Sequence, residues 1–316
     1  MSEFPLLFLM GPTAIGKTAT AIAVAKLINA EIINVDSGQV YRAMSIGTAK
    51  PTADEREQIP HHLVDIVEPE EPYSAARFCN DALAAIHAIR ERGRTPLLAG
   101  GTMLYFNALE RGLAPLPEAD ANVRAALESE ARQCGWPAMH EQLKAIDPVA
   151  AARIHPNDPQ RTQRALEVHR LTGKTLSDWQ ADTRSSLPEP AVKFAMMPFE
   201  RAWLHERIKH RFQRMLDEGF LNEVRNLRTR PNLNAELPSM RSVGYRQAWQ
   251  HLEGDADFDG FVEQGLAATR QLAKRQMTWI RGMQNVHTIG CDDNQTPKKY
   301  ADALMAQLKT SNSLER

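Results

Sequence analysis

Eight consecutive residues near the N-terminus have the types and spacing of a phosphate-binding loop. They run from Gly11 to Thr18 in the order G-x-x-x-x-G-K-T and follow the apolar residues 5–10. Glycines let backbone N–H groups converge on phosphate oxygens, the lysine neutralises charge, and a threonine hydroxyl at this position can bind Mg²⁺. The Ala-rich segment after the loop predicts a helix, whose N-terminus favours an anion. The sequence therefore predicts a polyphosphate site, without specifying that the polyphosphate is a nucleotide.

Asp36 comes directly after a second predicted strand, residues 31–35. A carboxylate at a strand end can accept a proton from a bound nucleophile or hold Mg²⁺ indirectly, and it can also simply cap a turn. Gly100, Gly101 and Thr102 follow another predicted strand, residues 96–99. Ligands of open parallel sheets bind at the carboxyl ends of the strands. We therefore expect the loop, Asp36 and the glycine turn to converge on one crevice.

A feature of nucleotide hydrolases is missing from the pattern. Such enzymes usually carry a further apolar strand that ends in an aspartate, which organises Mg²⁺ and water. The strand at residues 96–99 ends in glycines instead, although Asp65 lies within a possible third strand at residues 62–67. The site is thus expected to hold a phosphate chain rather than to activate water against it.

Two arginines lie four residues apart on a predicted helix, residues 202–218. Arg207 and Arg211 therefore share a face of that helix. Such a pair can clamp a phosphate chain from the side opposite the loop. Pairing with Glu206 or Glu218 on a solvated face is the alternative, and spacing alone does not separate the two.

A second group of cations suggests contact with a nucleic-acid backbone. Residues 264–281 predict a helix that contains four cations and no acid, namely Arg270, Lys274, Arg275 and Arg281. Nearby, Arg241 and Arg246 flank Tyr245, an aromatic side chain that could stack on a base. A solvated basic face is the ordinary alternative for each cluster.

The middle of the chain predicts helices only. Residues 120–134, 137–146, 148–154 and 159–171 read as helices between two proline-bearing boundaries. Asp158 and Pro159 suit the start of a helix whose first turn presents Arg161 and Arg164, either to phosphate or to solvent. The expected fold is α/β, a P-loop NTPase-like parallel sheet flanked by helices in residues 1–117 and 188–316, with an inserted all-helical domain in residues 118–187.

Composition excludes several classes of protein. The 316 residues carry 38 basic and 39 acidic side chains, so any nucleic-acid surface must arise from local clustering. The cysteines, Cys79, Cys134 and Cys291, form no C-x-x-C pair, which argues against disulfides and zinc. We find no long apolar run and no leader pattern, so a cytoplasmic protein without a membrane span is expected.

Together these segments resemble the tRNA dimethylallyltransferases of bacteria, also called tRNA isopentenyltransferases. The resemblance rests on residues 11–18, 35–41, 47–51, 100–105, 158–164, 243–247 and 270–279. It implies transfer of a dimethylallyl group from dimethylallyl diphosphate to the exocyclic amine of the adenosine that follows the anticodon, in tRNAs reading codons that begin with U. It also implies Mg²⁺ as cofactor and the tRNA anticodon arm as partner. The sequence leaves the oligomeric state open, and a monomer is the simpler expectation.

The resemblance also implies roles for individual residues. Asp36 matches the proposed base, Thr13 would lie near the bridging oxygen, and Arg211 would hold the diphosphate, with Arg207 the competing choice for that arginine. Thr18 would bind the metal. The diphosphate site comprises Gly11, Pro12, Thr13, Ala14, Ile15, Gly16, Lys17 and Thr18. The residues implied to contact tRNA are Asp36, Ser37, Gly38, Gln39, Thr102, Arg124, Gln160, Arg161, Thr162, Gln163, Arg164, Arg241, Ser242, Val243, Gly244, Tyr245, Arg246, Lys274, Arg275, Gln276, Met277, Thr278, Trp279, Ile280 and Arg281.

Two other function classes share the phosphate loop. A small-molecule or nucleoside kinase would bind ATP there and transfer its γ-phosphate, but it leaves the acid-free basic helix unexplained. A non-catalytic RNA-binding protein would show no turnover and no need for Asp36. Prenyl transfer to unmodified tRNA separates all three.

Overall fold

The computed structural model describes residues 4–181, 183, 185 and 187–314, with side chains up to residue 309. The chain divides into two compact units. One comprises Met1–Ala108 and Leu187–Arg316, and the other comprises Leu109–Ser186. We call them the core unit and the helical unit.

A six-stranded sheet forms the centre of the core unit. Its strands are β1 (Leu6–Met10), β2 (Ala30–Val35), β3 (His61–His62), β4 (Thr95–Gly100), β5 (Ala191–Pro198) and β6 (Val286–Cys291). Their order is β3-β2-β4-β1-β5-β6, and every neighbouring pair is parallel. The parallel arrangement is why β1 reads as an unbroken apolar run, because helices cover both faces of such a sheet. The predicted parallel sheet flanked by helices is confirmed.

Helices connect the strands and cover the sheet. The first half of the chain contributes α1 (Lys17–Ile28), α2 (Ala53–Gln58), α3 (Ala75–Glu91) and α4 (Met103–Arg111). After the helical unit follow α10 (Arg201–Asp217), α11 (Phe220–Arg228), α12 (Tyr245–Glu253), α13 (Phe258–Arg281) and α14 (Pro297–Leu314). Alternate residues of β1 face opposite sides. Leu7 and Leu9 belong to the core cluster formed with α1, α10, α13 and α14, whereas the Phe8 ring contacts that of Phe106, with centroids 4.9 Å apart.

The described residues of the helical unit form five helices between its connecting segments. They are α5 (Ala121–Cys134), α6 (Trp136–Ile146), α7 (Pro148–Arg153), α8 (Pro159–Thr172) and α9 (Leu176–Ala181). Leu127, Met139, Leu143 and Leu166 meet in a core of their own. Asp120, Asp147 and Asp158 each cap a following helix by accepting a backbone N–H, as expected for aspartate at that position.

Two expectations about elements need correction. The third strand predicted at residues 62–67 is wrong, because only His61 and His62 pair with β2. Leu63 and Asp65 then adopt positive φ angles of 61° and 56°, which an extended strand does not permit. Helix α14 near the C-terminus was not predicted from the sequence, and its Leu304 and Leu308 are buried in the core cluster. None of the described helices has the length and apolar character needed to span a membrane.

Candidate active site

The phosphate loop lies between β1 and α1, where the sequence placed it. Ala14 and Gly16 hold the turn with positive φ angles of 65° and 103°. Ile15 is buried in the core and anchors the loop against the sheet. Gly11 approaches β5 closely, since a Cβ atom there would lie 3.0 Å from the carbonyl oxygen of Met196. The loop backbone is thus fixed in place, with α1 beginning at Lys17.

Burial disfavours the charged form of Lys17. Its Nζ donates to the Pro12 carbonyl oxygen at 2.8 Å. Burial lowers the pKa of Lys17 to about 7, an effect that Asp36 opposes and Arg211 reinforces. An anion bound in the loop would supply the negative charge that stabilises the ammonium form. The site is therefore built to gain charge complementarity when an anion enters.

Asp36 follows β2 and shapes the turn after it. Its Oδ1 accepts the backbone N–H groups of Gly38 at 2.8 Å and Gln39 at 3.3 Å. Ser37 donates its backbone N–H to Thr102 Oγ1 at 3.0 Å, which joins this turn to the end of β4. Asp36 thus caps its turn, and it also lines the cavity beside the loop. Capping the turn therefore does not prevent Asp36 from lining the cavity, and its role as a base stays a prediction.

Both arginines predicted on α10 face the loop region, and neither pairs with Glu206 or Glu218 in the described structure. Arg207 donates Nε–H to the Ala14 carbonyl oxygen at 2.9 Å and stacks over Trp203. Arg211 donates to the Thr48 carbonyl oxygen at 3.4 Å. Burial lowers the pKa of Arg211, and Asp36 opposes that shift. Arg211 is therefore electrostatically coupled to both Asp36 and Lys17, whereas Arg207 braces the loop backbone.

A cavity of about 1270 Å³ joins these groups within the core unit. Its walls come from the phosphate loop, the Asp36 turn, residues 45–53, the glycines after β4 and α10. The sequence prediction of a crevice at converging strand ends is therefore matched by the positions of the loop, Asp36 and Gly100-Gly101.

The donors needed for Mg²⁺ are oxygen atoms at the cavity wall. No group of three or more His, Cys, Asp or Glu side chains in the described part of the chain could hold a metal by itself. Thr18 and Asp36 line the cavity and offer a hydroxyl and a carboxylate. Because Mg²⁺ usually binds through one or two protein oxygens plus substrate phosphates and water, this donor set fits the ion.

Helix α13 presents two different faces. Lys274, Arg275, Thr278, Trp279 and Arg281 are exposed, as expected for residues that contact RNA. Met277 and Ile280, two further residues of this helix predicted to contact tRNA, are buried, which corrects that expectation. Gln276 is also buried but lines the cavity, so its contact with tRNA stays a prediction.

Gln276 forms hydrogen bonds to two other parts of the site, which the sequence did not predict. Its Oε1 accepts the Thr13 N–H at 2.8 Å, and its Nε2 donates to the Gly101 carbonyl oxygen at 2.8 Å. Gln276 thus ties the phosphate loop to the β4 turn.

Tyr245 is not a stacking platform in this structure. Its side chain is fully buried, packs edge-on against Phe220, and donates its hydroxyl to Glu223 at 2.6 Å. The prediction of base stacking on this ring is therefore wrong, although Tyr245 is among the residues that border the cavity. Arg241 and Arg246 are exposed, and Arg241 also lines the cavity with Ser242, Val243 and Gly244. Glu223 belongs to no recognised motif, so the sequence alone does not identify it as the partner of Tyr245.

In the helical unit, the residues predicted to contact tRNA are divided between surface and structure. Gln160 and Arg161 are exposed at the start of α8. Thr162 is fully buried and is corrected as a contact residue.

The remaining predicted side chains of the helical unit have partners within it. Arg124 and Arg164 both pair with the buried Glu167, at 2.9 Å and 2.7 Å. Gln163 donates to Glu128 at 3.1 Å. Their hydrogen bonds thus serve the unit's own structure.

Comparison with known proteins gives one consistent answer. A family model described as IPP transferase matches residues 39–283. The tRNA dimethylallyltransferase of Alkalilimnicola ehrlichii is 58% identical over 300 residues, covering 95% of this chain and 93% of that protein. The tRNA dimethylallyltransferase of Methylococcus capsulatus is 58% identical over 278 residues, covering 88% of this chain and 89% of that protein.

Solved structures agree. The full-length tRNA isopentenylpyrophosphate transferase of Bacillus halodurans has a TM-score of 0.71 and 36% identity, with 99% of each chain covered. A eukaryotic dimethylallyltransferase acting on tRNA has a TM-score of 0.82 and 27% identity, covering 99% of this chain and 80% of that one. With a family model that matches most of its length, and with two relatives of such identity, this chain belongs to the IPP transferase family.

Proposed function

We propose that this protein transfers a dimethylallyl group from dimethylallyl diphosphate to the exocyclic amine of the adenosine that follows the anticodon in tRNA. The substrates would be tRNAs that read codons beginning with U. The observation that carries the proposal is the single cavity in which the phosphate loop, Asp36 and Arg211 meet. It combines a cradle for a polyphosphate with a carboxylate, in a chain of the IPP transferase family.

The first half of the reaction concerns the leaving group. The allylic carbon–oxygen bond breaks with its electron pair on the diphosphate oxygen, and negative charge accumulates there. Loop N–H groups, the Lys17 ammonium and the Arg211 guanidinium neutralise that charge, which lowers the barrier. We assign Thr13 to the bridging oxygen. Thr18 would hold Mg²⁺, whose charge would add to the neutralisation of the diphosphate.

The second half concerns the acceptor. The adenine amine is a weak nucleophile, because its lone pair is delocalised into the ring. As the new nitrogen–carbon bond forms, the amine loses a proton, and we assign the Asp36 carboxylate as the group that accepts it. An adenosine stacked in the anticodon loop cannot reach a recessed site, so it must be extruded first.

We assign tRNA binding to the exposed cations in both units. In the core unit these are Lys274, Arg275 and Arg281 of α13 and Arg241 and Arg246 beside α12, all exposed. In the helical unit, exposed Arg161 and Gln160 lie at the start of α8. The cations of α13 lie in a segment without acidic residues, which suits a phosphate backbone, whereas Arg161 also pairs with Asp158 at 3.6 Å. We also propose that the protein acts as a monomer, which light scattering of the purified protein tests.

One assay tests the function. The protein is mixed with Mg²⁺, unmodified tRNA and dimethylallyl diphosphate, and the anticodon arm is analysed by mass spectrometry. A mass gain of one dimethylallyl group on the adenosine after the anticodon is expected. No gain with folded tRNA and folded protein would exclude the transferase, and consumption of ATP with phosphate transfer would support a kinase instead.

The role of Asp36 has its own test. Asp36→Ala is expected to retain tRNA binding while transfer falls by about 10²–10⁴-fold, the usual contribution of a positioned general base. Single-turnover rates and tRNA affinity are measured separately. Lost binding with an unchanged rate in the complex would make Asp36 a residue that positions tRNA and not the base.

A further inference from the structure

Residues 45–49 form a loop that one carboxylate holds from outside the cavity. Glu223 Oε2 accepts the backbone N–H groups of Ser45 at 2.8 Å and Ile46 at 2.7 Å. Its Oε1 accepts the Gly47 N–H at 3.1 Å and the Tyr245 hydroxyl at 2.6 Å. Hydrogen bonds to an ionised acceptor are about twice as strong as neutral ones. Consecutive amides converging on one charge fix the loop in a single conformation.

The loop is also pressed against the helices that supply these groups. A Cβ atom at Gly47 would lie 2.3 Å from the Phe220 ring and 2.6 Å from the Tyr245 ring. Only glycine permits this approach, because the contacts are with ring atoms of buried side chains. Glu223 itself is not among the residues that line the cavity. Any influence that it has on the reaction must therefore pass through the groups that it holds, which are the loop and the Tyr245 side chain, both at the cavity wall.

The loop connects next to the Asp36 turn. Gln39 Nε2 donates to the carbonyl oxygens of Thr48 at 3.1 Å and Ala49 at 3.2 Å. A Cβ atom at Gly38 would lie 3.0 Å from Thr48 Cγ2, so the turn packs directly on the loop. Gly38 and Gln39 in turn donate their backbone N–H groups to Asp36 Oδ1. A shift of the loop would thus move the carboxylate assigned as base.

The same loop reaches the arginine assigned to the diphosphate. Arg211 donates to the Thr48 carbonyl oxygen at 3.4 Å, the same oxygen that accepts from Gln39. The Thr48 carbonyl oxygen therefore binds both Gln39, in the turn that holds the assigned base, and Arg211, the arginine assigned to the diphosphate. Placement errors of about 1 Å cost about 10²-fold in rate when reacting groups must be aligned.

We propose that Glu223 is a positioning residue for prenyl transfer, acting through residues 45–49 on Asp36 and Arg211. This inference rests on the proposed function. Glu223 touches neither substrate in this arrangement. Its carboxylate fixes the loop, the loop fixes the Asp36 turn, and the turn sets the direction from which the base meets the adenine amine. The Tyr245 hydroxyl belongs to the same device, since it helps to hold the carboxylate.

Three variants and one control test the inference. Glu223→Gln keeps the shape of the side chain but turns an acceptor into a donor that faces a backbone N–H or the hydroxyl. Glu223→Ala removes every acceptor. Tyr245→Phe removes one donor and keeps the ring. Glu263→Gln, at an exposed position of α13, is the control for loss of a carboxylate.

The readouts separate positioning from folding. Each variant is assayed well below its Tm, and kcat is expressed per folded molecule, beside KM for tRNA. We expect Glu223→Gln to lower kcat about tenfold or more with KM for tRNA within about twofold, and Tyr245→Phe to lower kcat about threefold. In the Glu223→Ala background, Tyr245→Phe should lower kcat no further, since the two act as one unit.

Two results would overturn the inference. One is a kcat for Glu223→Gln within about twofold of Glu263→Gln, which would leave the carboxylate a purely structural group. If Glu223→Gln does not fold, the result that overturns it is full additivity of Tyr245→Phe and Glu223→Ala. Absence of transfer by the unaltered protein would overturn the proposed function together with the inference, whereas unchanged kcat in the variants overturns the inference alone.

Discussion

Two pairs of arginines to which the sequence assigned ligand contact, one pair in each unit, have different partners. In the described structure, Arg207 and Arg211 of the core unit bind backbone carbonyl oxygens and no carboxylate. Arg124 and Arg164 of the helical unit both bind the carboxylate of Glu167, which is fully buried. The sequence predicted phosphate or RNA contact for all four of these arginines.

The difference indicates which cations remain available for an anion. A carbonyl oxygen orients a guanidinium without neutralising its charge, so Arg211 keeps a field directed at the cavity. A carboxylate neutralises its partners. Burial alone would raise the pKa of Glu167, but hydrogen bonds from Arg124 and Arg164 outweigh it and hold that pKa below its ordinary value. Partner type therefore separates arginines poised for a ligand from arginines that stabilise a fold.

The largest effect expected from this contrast between arginines concerns Arg211. Arg211→Gln should lower kcat/KM for prenyl transfer about 10²–10³-fold, the usual cost of removing one group that stabilises developing charge. Stability should stay or rise, because Arg211 opposes the charging of neighbouring Lys17. Initial rates and thermal unfolding check both points. Lys209→Gln, at an exposed position of the same helix, is the control. A loss of thermal stability large enough to account for the whole loss of activity would contradict the distinction between the two sets of arginines.

The helical unit should show the opposite response. Glu167→Gln leaves Arg124 and Arg164 without their carboxylate, and we expect a loss of about 2 kcal/mol in the free energy of unfolding. This figure lies below that for a fully buried pair because solvent reaches both arginines. Urea unfolding measures it, with the exposed Glu141→Gln as control. An unchanged unfolding midpoint would mean that these ion pairs do not hold the unit together.

The sequence predicts those parts of the candidate site whose positions follow from the order of strands and loops along the chain. A strand followed by a glycine loop, and a strand followed by Asp36, must present their residues at the carboxyl edge of a parallel sheet. The phosphate loop, the Asp36 turn and the β4 turn could therefore be placed together without knowing any contact.

The supporting contacts could not be predicted in this way. Gln276 meets Thr13 across 263 positions of sequence, and Glu223 meets Ser45 across 178. No local pattern specifies such a pair. Tyr245 was misread because flanking arginines suggest an exposed aromatic, whereas its burial depends on the missing side chain of Gly47. Motifs thus show where chemistry can occur, and only the fold shows what holds it in place.

Lys17 predicts how diphosphate affinity depends on pH. Its pKa in the free protein is lowered from 10.5 to about 7, and a bound diphosphate favours the ammonium form. Between the pKa of Lys17 in the free protein, about 7, and its higher pKa in the complex, the complex holds more protons than the free protein. Diphosphate affinity therefore falls as pH rises above about 7, by at most about tenfold per pH unit. Calorimetry with inorganic diphosphate, corrected for the ligand's own ionisation, measures affinity and proton uptake.

A variant sharpens the pH test. Because Arg211 lowers the pKa of Lys17, Arg211→Gln should move the fall in affinity to higher pH, although affinity itself is weaker. Affinity that stays constant between about pH 7 and 9, with no proton uptake, would show that Lys17 is already charged before the anion arrives.

The smallest expected effect separates the two faces of α13. Lys274 is exposed and has no carboxylate partner in the described structure, so Lys274→Gln should weaken tRNA binding a few-fold and reduce the slope of log affinity against log salt by about 1. Gln276→Ala, on the buried face, should leave that slope unchanged and lower kcat, because it releases Thr13 from Gly101. Titrations of tRNA at several salt concentrations measure the slope. If both variants changed the slope equally, exposure and partner would not determine what a side chain of this helix does, and the inference of function from the partner of a side chain would fail.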